Sequence, residues 1–232
     1  MRWRGKWATQ NEKVGELVLI AYPYLLIAFA FCVLLGFGLG RYRDASFQNR
    51  GEALISKTIQ ANFAPPNFHL LNHITLQLQD GTTQVDHILV SKFGVFVIET
   101  KDYKGWIFAN SKQATWTQVV FGRKFRFQNP IFQNMRHVQA VEKLLDFLPS
   151  SAIKSLVVFV GKAEFKTEKP PGVYAISELI NYQQGHTEEV LSLNRVQFCV
   201  GRLETTRLAI TRQTDLAHLQ SLERRLGRKK LN

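Results

Sequence analysis

The centre of the chain carries a strand–turn–strand pattern that requires a β-sheet. Apolar and polar residues alternate from Phe68 to Gln79, Asp80-Gly81 supplies a hairpin turn, and a second strand pattern runs from Gln84 to Ser91. After the turn at Gly94, Val95 to Ile98 is a continuous apolar run, which is typical of a central strand covered on both faces. The sequence therefore predicts an antiparallel hairpin followed by a buried third strand.

Helical patterns lie on both sides of this region. A short amphipathic helix is predicted from Gly51 to Asn62, and Asn129-Pro130 has the residues of a helix start for a longer helix that ends before Pro149. The apolar residues of that helix recur at helical spacing: Phe132, Met135, Val138, Val141, Leu145 and Leu148. Further strands are predicted at 106–109, 115–121, 124–128, 155–160 and 173–176, and a C-terminal helix is lined by Leu216, Leu219, Leu222 and Leu226. Strands mixed with helices indicate an α/β or an α+β fold, and we expect the α/β class.

The N-terminal part contains an apolar run of the length of a transmembrane helix. Leu17 to Leu39 is 23 residues long without a charged residue, enough to span a hydrocarbon core of about 30 Å. A signal peptide would have a shorter apolar region, and a buried core helix is the remaining alternative. We expect a single-pass membrane protein whose orientation is not fixed by charge, because basic residues flank both ends of the run. The expected segments are a basic stretch at 1–16, a transmembrane helix at 17–39, a linker at 40–50, a domain at 51–210 and a basic helix and tail at 211–232.

The chain is basic, which favours an anionic partner. Its 232 residues carry a formal charge of +12, and residues 51–232 alone hold 23 basic and 15 acidic residues. Nucleic acid or an anionic lipid surface suits such a domain, although many basic proteins bind neither. The only cysteines are Cys32 and Cys199, which excludes a disulfide framework and a multi-cysteine zinc site.

Charged side chains meet at the end of the predicted central strand. Glu99 and Lys101 share one strand face, and the hairpin brings Asp86 beside Glu99, whereas His87 points to the opposite face. Two carboxylates and an ammonium group are costly to bury unless they pair or bind a ligand, and Mg²⁺ prefers carboxylate oxygens. The alternative is an exposed Glu99–Lys101 pair beside an unrelated Asp86.

Several short motifs surround these residues at fixed spacing. They are TQVDHILVS at 83–91, GVFVIETK at 94–101, YKGWI at 103–107, Gly51-Glu52, Trp116-Thr117-Gln118, Gln128-Asn129-Pro130 and Gln133-Asn134. Together they resemble the nuclease-related domain, NERD, over residues 51–148. That family is thought to be related to the PD-(D/E)XK nucleases, so the resemblance implies a mixed β-sheet flanked by helices and metal-dependent hydrolysis of phosphodiester bonds.

The resemblance also implies roles for individual residues. Asp86 and Glu99 resemble the two metal-binding carboxylates, and Lys101 resembles the lysine of the E-x-K half of the motif. The main-chain carbonyl of Thr100 is an additional metal ligand in this scheme. Mg²⁺ or Mn²⁺ is the implied cofactor.

Two further residues have weaker assignments. Glu52 resembles a helix glutamate that holds metal or water, and its alternative is a solvated helix residue. Gln118 would reach the same sheet face from a neighbouring strand and contact water or phosphate. The implied substrate is DNA, and RNA is the second choice. Because nucleic acid is chiefly cytoplasmic, a nuclease function predicts a cytosolic domain.

Basic and aromatic residues are interleaved in the predicted strands after residue 103. Lys104, Arg123, Lys124 and Arg126 would follow a phosphate backbone while neighbouring rings stack on bases. These aromatic residues are Trp106, Trp116, Phe121, Phe125 and Phe127. An ordinary solvated strand face is the alternative.

Two other functions remain open. One is a membrane-tethered module that binds nucleic acid or acts as a scaffold without catalysis. The other is a signalling or assembly protein whose basic surfaces bind lipid headgroups, helped by the basic residues of the C-terminal tail. That tail contains Arg224, Arg225, Arg228, Lys229 and Lys230.

Overall fold

The computed structural model describes residues 24, 26–33 and 48–230. The chain separates into two compact units, Met1–Phe47 and Gln48–Asn232. All the numbered strands and helices below belong to the second unit. The predicted basic stretch at 1–16 and most of the predicted linker at 40–50 lie outside the described residues.

The described residues correct the predicted membrane localisation. No helix among them is both long enough and apolar enough to cross a bilayer. Residues 26–33 are helical, but at a rise of about 1.5 Å per residue such a segment extends only about 12 Å. The predicted single-pass localisation is therefore wrong for the structure described, and the rest of the predicted 17–39 helix lies outside the described residues.

The second unit is a mixed α/β fold with two mixed sheets. Its strands are β1 (Phe68–Leu78), β2 (Gly81–Ser91), β3 (Gly94–Lys101), β4 (Gly105–Phe108), β5 (Thr115–Val120), β6 (Arg123–Gln128), β7 (Ile153–Phe159), β8 (Ala163–Phe165) and β9 (Val173–Ala175). Its helices are α1 (Arg50–Asn62), α2 (Pro130–Leu144), α3 (Ile176–Gln184), α4 (Leu193–Thr206) and α5 (Arg212–Lys230). The predicted strands and the three predicted helices are confirmed to within a few residues at their ends.

The first sheet has the strand order β1-β2-β3-β7-β9. β1, β2 and β3 are antiparallel neighbours, whereas β7 and β9 run parallel to β3. Gly94 to Thr100 of β3 are all buried, which confirms the prediction of a central strand covered on both faces. The return from β3 to parallel β7 requires a long crossover, and α2 and three strands of the second sheet, β4, β5 and β6, lie within it.

Helices cover both faces of this sheet. Val95 and Val97 pack in one hydrophobic cluster with residues of α2 and α4, among them Val141 and Leu203. The alternate residues of β3 pack in a second cluster, which also contains Ile55 and Ile59 of α1 and Leu179 of α3. Full burial of such side chains stabilises the fold by about 1.5–3 kcal/mol each, so the strand is held from both sides.

The second sheet has the order β6-β5-β4-β8, with β8 parallel to β4 and the other pairs antiparallel. Its inner face packs around Trp116, which is 1% exposed and stacks on Phe159 of β7. Ile107 of β4 belongs to the same cluster. The inner face of the second sheet is therefore attached to the strands of the first.

The C-terminal helix α5 packs through polar side chains. Ser221 and His218 are buried, and Ser221 Oγ accepts a hydrogen bond of 3.0 Å from the main-chain N–H of Thr82. Arg225 donates to the carbonyl oxygen of Thr82 at 2.9 Å. In contrast, Leu216 is 60% exposed. The helix was predicted from its leucines, but hydrogen bonds to β2 hold it in place.

Candidate active site

The charged residues of β3 lie where β2 and β3 stop pairing. The last backbone pair between these two strands is His87–Ile98. β3 continues to pair with β7 up to Lys101–Phe159. Asp86 and Glu99 therefore face each other one step beyond the β2–β3 ladder, where the main chains no longer exchange hydrogen bonds.

Both strands of the β1–β2 hairpin are irregular at this level. Asn72–His87 and Ile74–Val85 are paired, but the intervening His73–Asp86 pair is not formed. His73 has φ of 54°, a left-handed conformation that is unusual for a residue with a side chain. Val85 and Ile88 lie in the same cluster although they are three positions apart, an odd number, so the alternation of faces shifts between them.

The carboxylate of Asp86 replaces the missing strand partner. Its Oδ2 accepts a hydrogen bond of 2.7 Å from the main-chain N–H of Thr100. In an extended strand the N–H and C=O of one residue point to the same side, so the Thr100 carbonyl also faces Asp86. The Thr100 hydroxyl points elsewhere and is buried without a partner among the described residues.

Glu99 is held from two directions. It is 2% exposed, and its Oε1 accepts a hydrogen bond from the Lys101 ammonium group. Its Oε2 lies 3.1 Å from Nε2 of His137 on α2, and Nδ1 of His137 lies 2.7 Å from the Thr83 hydroxyl. Lys101 also donates to Oε1 of Gln133, at 3.0 Å. Strand β3 and helix α2 together fix this carboxylate and ammonium group.

Glu52 adds a third carboxylate, from the first turn of α1. Asn49 caps this helix, because its Oδ1 accepts a 3.0 Å hydrogen bond from the main-chain N–H of Glu52. The Asn49 amide in turn donates to Oε1 of Glu52. The Glu52 side chain is buried, and the helix N-terminus provides a favourable field for its negative charge.

The pKa values of these three carboxyl groups are shifted in different directions. Burial raises the pKa of Asp86 well above its usual value, and the carboxylates of Glu99 and Glu52 raise it further. Burial also raises the pKa of Glu52. For Glu99, hydrogen bonds and charge from His137 and Lys101 outweigh burial, so its pKa is lowered. Lys101 offsets these effects on Asp86 only in part, and no cation among the described residues forms a salt bridge with it.

Lys101 remains a cation in this setting. Burial favours the neutral amine, but the charge and hydrogen bond of Glu99 together with the charge of Asp86 outweigh it, so the pKa of Lys101 is raised. The side chain is 14% exposed, whereas that of Glu99 is 2% exposed. Two of its three N–H donors are used, by Glu99 and Gln133, which leaves one for a ligand.

A cleft of about 400 Å³ is lined by residues that are neighbours of Glu52 and Lys101 in sequence. It is lined by Gly51, next to Glu52, and by Asp102, next to Lys101. Three basic residues also line it: Arg50, Lys104 and Lys162. None of these three forms a salt bridge with any residue in the described part of the chain. The cleft therefore carries three basic side chains and one acidic one, and two of its lining residues are sequence neighbours of Glu52 and Lys101.

The structure brings together four of the predicted site residues, Asp86, Glu99, Lys101 and Glu52, with the main chain of Thr100. It does not bring Gln118 to them. Gln118 lies on β5 in the second sheet, where its amide donates a 2.8 Å hydrogen bond to the carbonyl of Lys104. Among residues 48–230, no group of three or more His, Cys, Asp or Glu side chains has the arrangement of a metal site.

The predicted phosphate-binding residues lie outside this cluster. Arg123, Lys124 and Arg126 are exposed on β6. Lys104 precedes β4 and is exposed, with Nζ 5.7 Å from the centre of the Phe121 ring. Lys104 alone among them also lines the cleft.

Sequence reasoning missed the contributions of α2. His137 and Gln133 contact Glu99 and Lys101, and Asn134 donates to the carbonyls of Val97 and Leu156. The apolar residues predicted to form the buried face of α2 included Phe132 and Met135, but these are 40% and 48% exposed. The available signal was the placement of His137 four residues before Val141, on the same helix face.

His87 behaves as a packed residue. It is fully buried, its Nδ1 lies 2.8 Å from Oδ1 of Asn72, and burial lowers its pKa to about 3. Its Nε2 has no hydrogen-bond partner among the described residues.

The comparisons with known proteins agree with the sequence motifs. Residues 48–160 match the family model of the nuclease-related domain, NERD. An uncharacterized protein of Bacillus anthracis is 42% identical over 97 residues, which are 41% of this chain and 45% of that protein. The chain thus spans less than half the length of this relative. No solved structure matches the chain. The matched region contains Glu52, Asp86, Glu99 and Lys101, so it indicates a nuclease-related function.

Proposed function

We propose that this protein is a metal-dependent nuclease that hydrolyses phosphodiester bonds, with DNA as the first candidate substrate and RNA as the second. The observation that carries the proposal is the arrangement of Asp86 and Glu99 beyond the last β2–β3 pair, with Lys101 paired to Glu99. The match of residues 48–160 to the nuclease-related domain supports it.

The chemistry of the carboxylates fits a divalent cation. Burial and then repulsion from Glu99 and Glu52 raise the pKa of Asp86, and a bound cation would relieve that repulsion. Mg²⁺ usually takes one or two protein carboxylates and keeps several waters, so a site with fewer than three acidic or His ligands suits it. Asp86, Glu99 and the carbonyl of Thr100 would hold Mg²⁺ or Mn²⁺. When bound, the cation would favour deprotonation of the attacking water and stabilise charge that develops on the phosphate.

The residues of the protein have separate tasks in this proposal. Lys101 is protonated, so it acts as a hydrogen-bond donor and a cation toward the phosphate, and it does not act as a base. His137 and Gln133 position Glu99 and Lys101 from α2. Glu52 assists from the first turn of α1, where Asn49 orients it. Gln118 has no catalytic role in this arrangement.

The basic surface supplies the binding energy for a polyanion. Arg50, Lys104 and Lys162 around the cleft would receive phosphates next to the site. Arg123, Lys124 and Arg126 on β6 extend the positive charge to the second sheet. Each phosphate that such residues neutralise releases counterions, so we expect binding that weakens as salt rises.

The test is nuclease activity of the purified full chain on linear duplex DNA, single-stranded DNA and RNA, with Mg²⁺, Mn²⁺ or EDTA. Asp86→Asn, Glu99→Gln and Lys101→Met change charge with little change in shape. Asp146→Asn is the matched control, because Asp146 is an exposed acidic residue after α2. We expect metal-dependent cleavage that falls by roughly 10²–10⁴-fold in the first three variants and is unchanged in the control.

Two results would contradict the proposal. One is cleavage that persists in EDTA or in Asp86→Asn with the protein folded. The other is a wild-type chain that binds nucleic acid in a salt-dependent way yet cleaves no substrate with either metal. The second result would favour a nucleic-acid-binding or scaffold module without catalysis.

A further inference from the structure

Two rows of side chains cross the outer face of the second sheet, and the types of residue follow the same order in both rows. In the first row Trp106 on β4 pairs with Val119 on β5, which pairs with Lys124 on β6. Paired residues of antiparallel strands have their side chains on one face, so these three lie side by side. Each row runs from an aromatic residue through a β-branched residue to a cation.

The second row is formed in the same way two residues along β4. Phe108 pairs with Thr117, which pairs with Arg126. Ile107, between the two aromatic residues in sequence, is buried in the cluster on the inner face. The two aromatic side chains thus point away from the protein interior, and no helix among the described residues covers them.

The aromatic residues are exposed to an unusual degree for their size. Trp106 is 49% exposed and Phe108 is 40% exposed. Lys166 Nζ lies 5.0 Å from the centre of the Trp106 ring and also pairs with Glu164, the β8 neighbour of Trp106. This contact orients the indole and leaves half of it open. Neither Lys124 nor Arg126 forms a salt bridge within the described chain.

From this arrangement we propose that the outer face of the second sheet binds single-stranded nucleic acid, with bases stacked on Trp106 and Phe108 and phosphates on Lys124 and Arg126. The inference rests on the proposed function for its ligand class, and it specifies the form of that ligand. A basic sheet face with exposed aromatic residues is suited to unpaired bases, because every base has a π-face and the stacking needs no sequence.

The spacing of the rings excludes a duplex as the preferred occupant. Residues two apart in a strand are about 6.8 Å apart, roughly twice the base spacing of about 3.4 Å in duplex DNA. Bases on the two rings must therefore be unstacked from each other, which a single strand permits. A face that contacted only duplex phosphates would gain nothing from two exposed aromatic residues.

The face also continues from the candidate active site along the chain. β3 ends at Lys101, Asp102 and Lys104 line the cleft, and β4 begins at Gly105 directly before Trp106. A single strand of nucleic acid whose bases stack on this sheet would thus have phosphates near the basic cleft.

The experiment measures binding of the full chain to a labelled 12-nucleotide single strand by fluorescence anisotropy in EDTA, so that no cleavage is required. The competitors are the same strand as a duplex, the same length of RNA, and an abasic strand that keeps the phosphates. Trp106→Leu and Phe108→Leu keep an apolar side chain but remove the π-face. Phe198→Leu on α4 is the control, since Phe198 is 59% exposed outside this sheet.

We expect Trp106→Leu and Phe108→Leu each to weaken single-strand binding by about 5- to 100-fold. Their affinity for the abasic strand should equal that of wild type, and Phe198→Leu and Trp106→Phe should retain binding. Lys124→Gln should weaken DNA and abasic strand alike and reduce the salt slope by about 0.7.

Three results would overturn the inference: no single-strand binding by wild type, duplex binding tighter than single-strand binding, or equal losses on normal and abasic strands. Binding to anionic vesicles that Trp106→Leu abolishes, without such an effect on single strands, would also overturn it and indicate a lipid partner. Because the assay needs no turnover, an inactive protein that passes it would refute only the nuclease proposal.

Discussion

Oε2 of Glu99 lies 3.1 Å from Nε2 of His137, and both side chains are buried. Nδ1 of the same ring lies 2.7 Å from the Thr83 hydroxyl, so the imidazole is held between β2 and β3. With Nδ1 accepting from Thr83, Nε2–H donates to the carboxylate. His137 thereby fixes one oxygen of Glu99 while Lys101 fixes the other.

We expect His137→Ala to destabilise the fold, because it leaves a buried carboxylate oxygen without its donor. The expected loss in the free energy of unfolding is about 1–3 kcal/mol, measured by urea denaturation. His137→Gln retains an N–H donor and should recover part of the loss. A free energy for His137→Ala within about 0.5 kcal/mol of wild type, the usual range for surface substitutions, would show that this contact adds little stability.

Because the pKa of Asp86 is raised, we predict that its ionised side chain lowers the stability of the metal-free protein in a pH-dependent way. Burial first, and then Glu99 and Glu52, raise the pKa in the folded chain above the unfolded value of about 3.9. The folded state then binds this proton more tightly, so the contribution of Asp86 to stability becomes more favourable as pH falls through its folded pKa. Above that pKa the charged side chain is fully destabilising.

Asp86→Asn removes this charge and should raise Tm in EDTA at pH 8, with a difference from wild type that narrows as pH is lowered toward 4.5. Each unit of pKa shift corresponds to about 1.4 kcal/mol, and each kcal/mol to about 2–4 °C for a chain of this size. Asp80→Asn is the control, because the hydrogen bond from Arg136 lowers the pKa of Asp80 and its removal should give no gain. A lower Tm for Asp86→Asn than for wild type at pH 8 would contradict the prediction.

Local sequence patterns predicted the strands that form the site. The alternation on either side of Asp80-Gly81 defines the β1–β2 hairpin, and the apolar run after Gly94 defines β3. The turns then set the pairing register of β1, β2 and β3, which is why the placement of Asp86 beside Glu99 was predictable. The irregularity at His73 and Asp86 was not, because it depends on contacts between strands and leaves no mark in the apolar pattern.

The residues of α2 were not predictable from apolar spacing. Its buried line contains Asn134 and His137, which are polar, while Phe132 and Met135 of the apolar line are exposed. Burial of polar side chains is decided by hydrogen-bond partners on β3 and β7, and these are remote in sequence. For α4 the signal was present, since Val196, Cys199 and Leu203 have helical spacing and are buried.

Substitutions of two neighbouring residues of α2, Asn134 and Gln133, should affect stability and activity separately. The Asn134 amide donates to Val97 O at 2.9 Å, to Ser155 Oγ at 2.9 Å and to Leu156 O at 3.1 Å, so it links β3 to β7. Asn134→Leu should lower the free energy of unfolding by about 1–3 kcal/mol, because it leaves buried acceptors without a donor. Gln133→Met should instead leave stability nearly unchanged and reduce nuclease activity, because Gln133 contacts Lys101.

Urea denaturation and single-turnover cleavage of both variants check this pair. The prediction fails when Gln133→Met is the less stable variant, or when folded Asn134→Leu loses more activity than Gln133→Met.

Two glycines should respond in opposite directions to substitution by alanine. A Cβ on Gly161, which lines the cleft, would lie 1.9 Å from the main-chain oxygen of Tyr103. The clash is with main chain, so β7 and the segment before β4 must move apart, and Gly161→Ala should lower the free energy of unfolding by about 1–3 kcal/mol. A Cβ on Gly201 in α4 meets nothing within 4 Å, and Gly201→Ala should raise it by about 0.5–1 kcal/mol through the loss of glycine flexibility. Urea denaturation measures both changes, and a Gly161→Ala variant as stable as wild type would show that the contact between residues 103 and 161 is not tight.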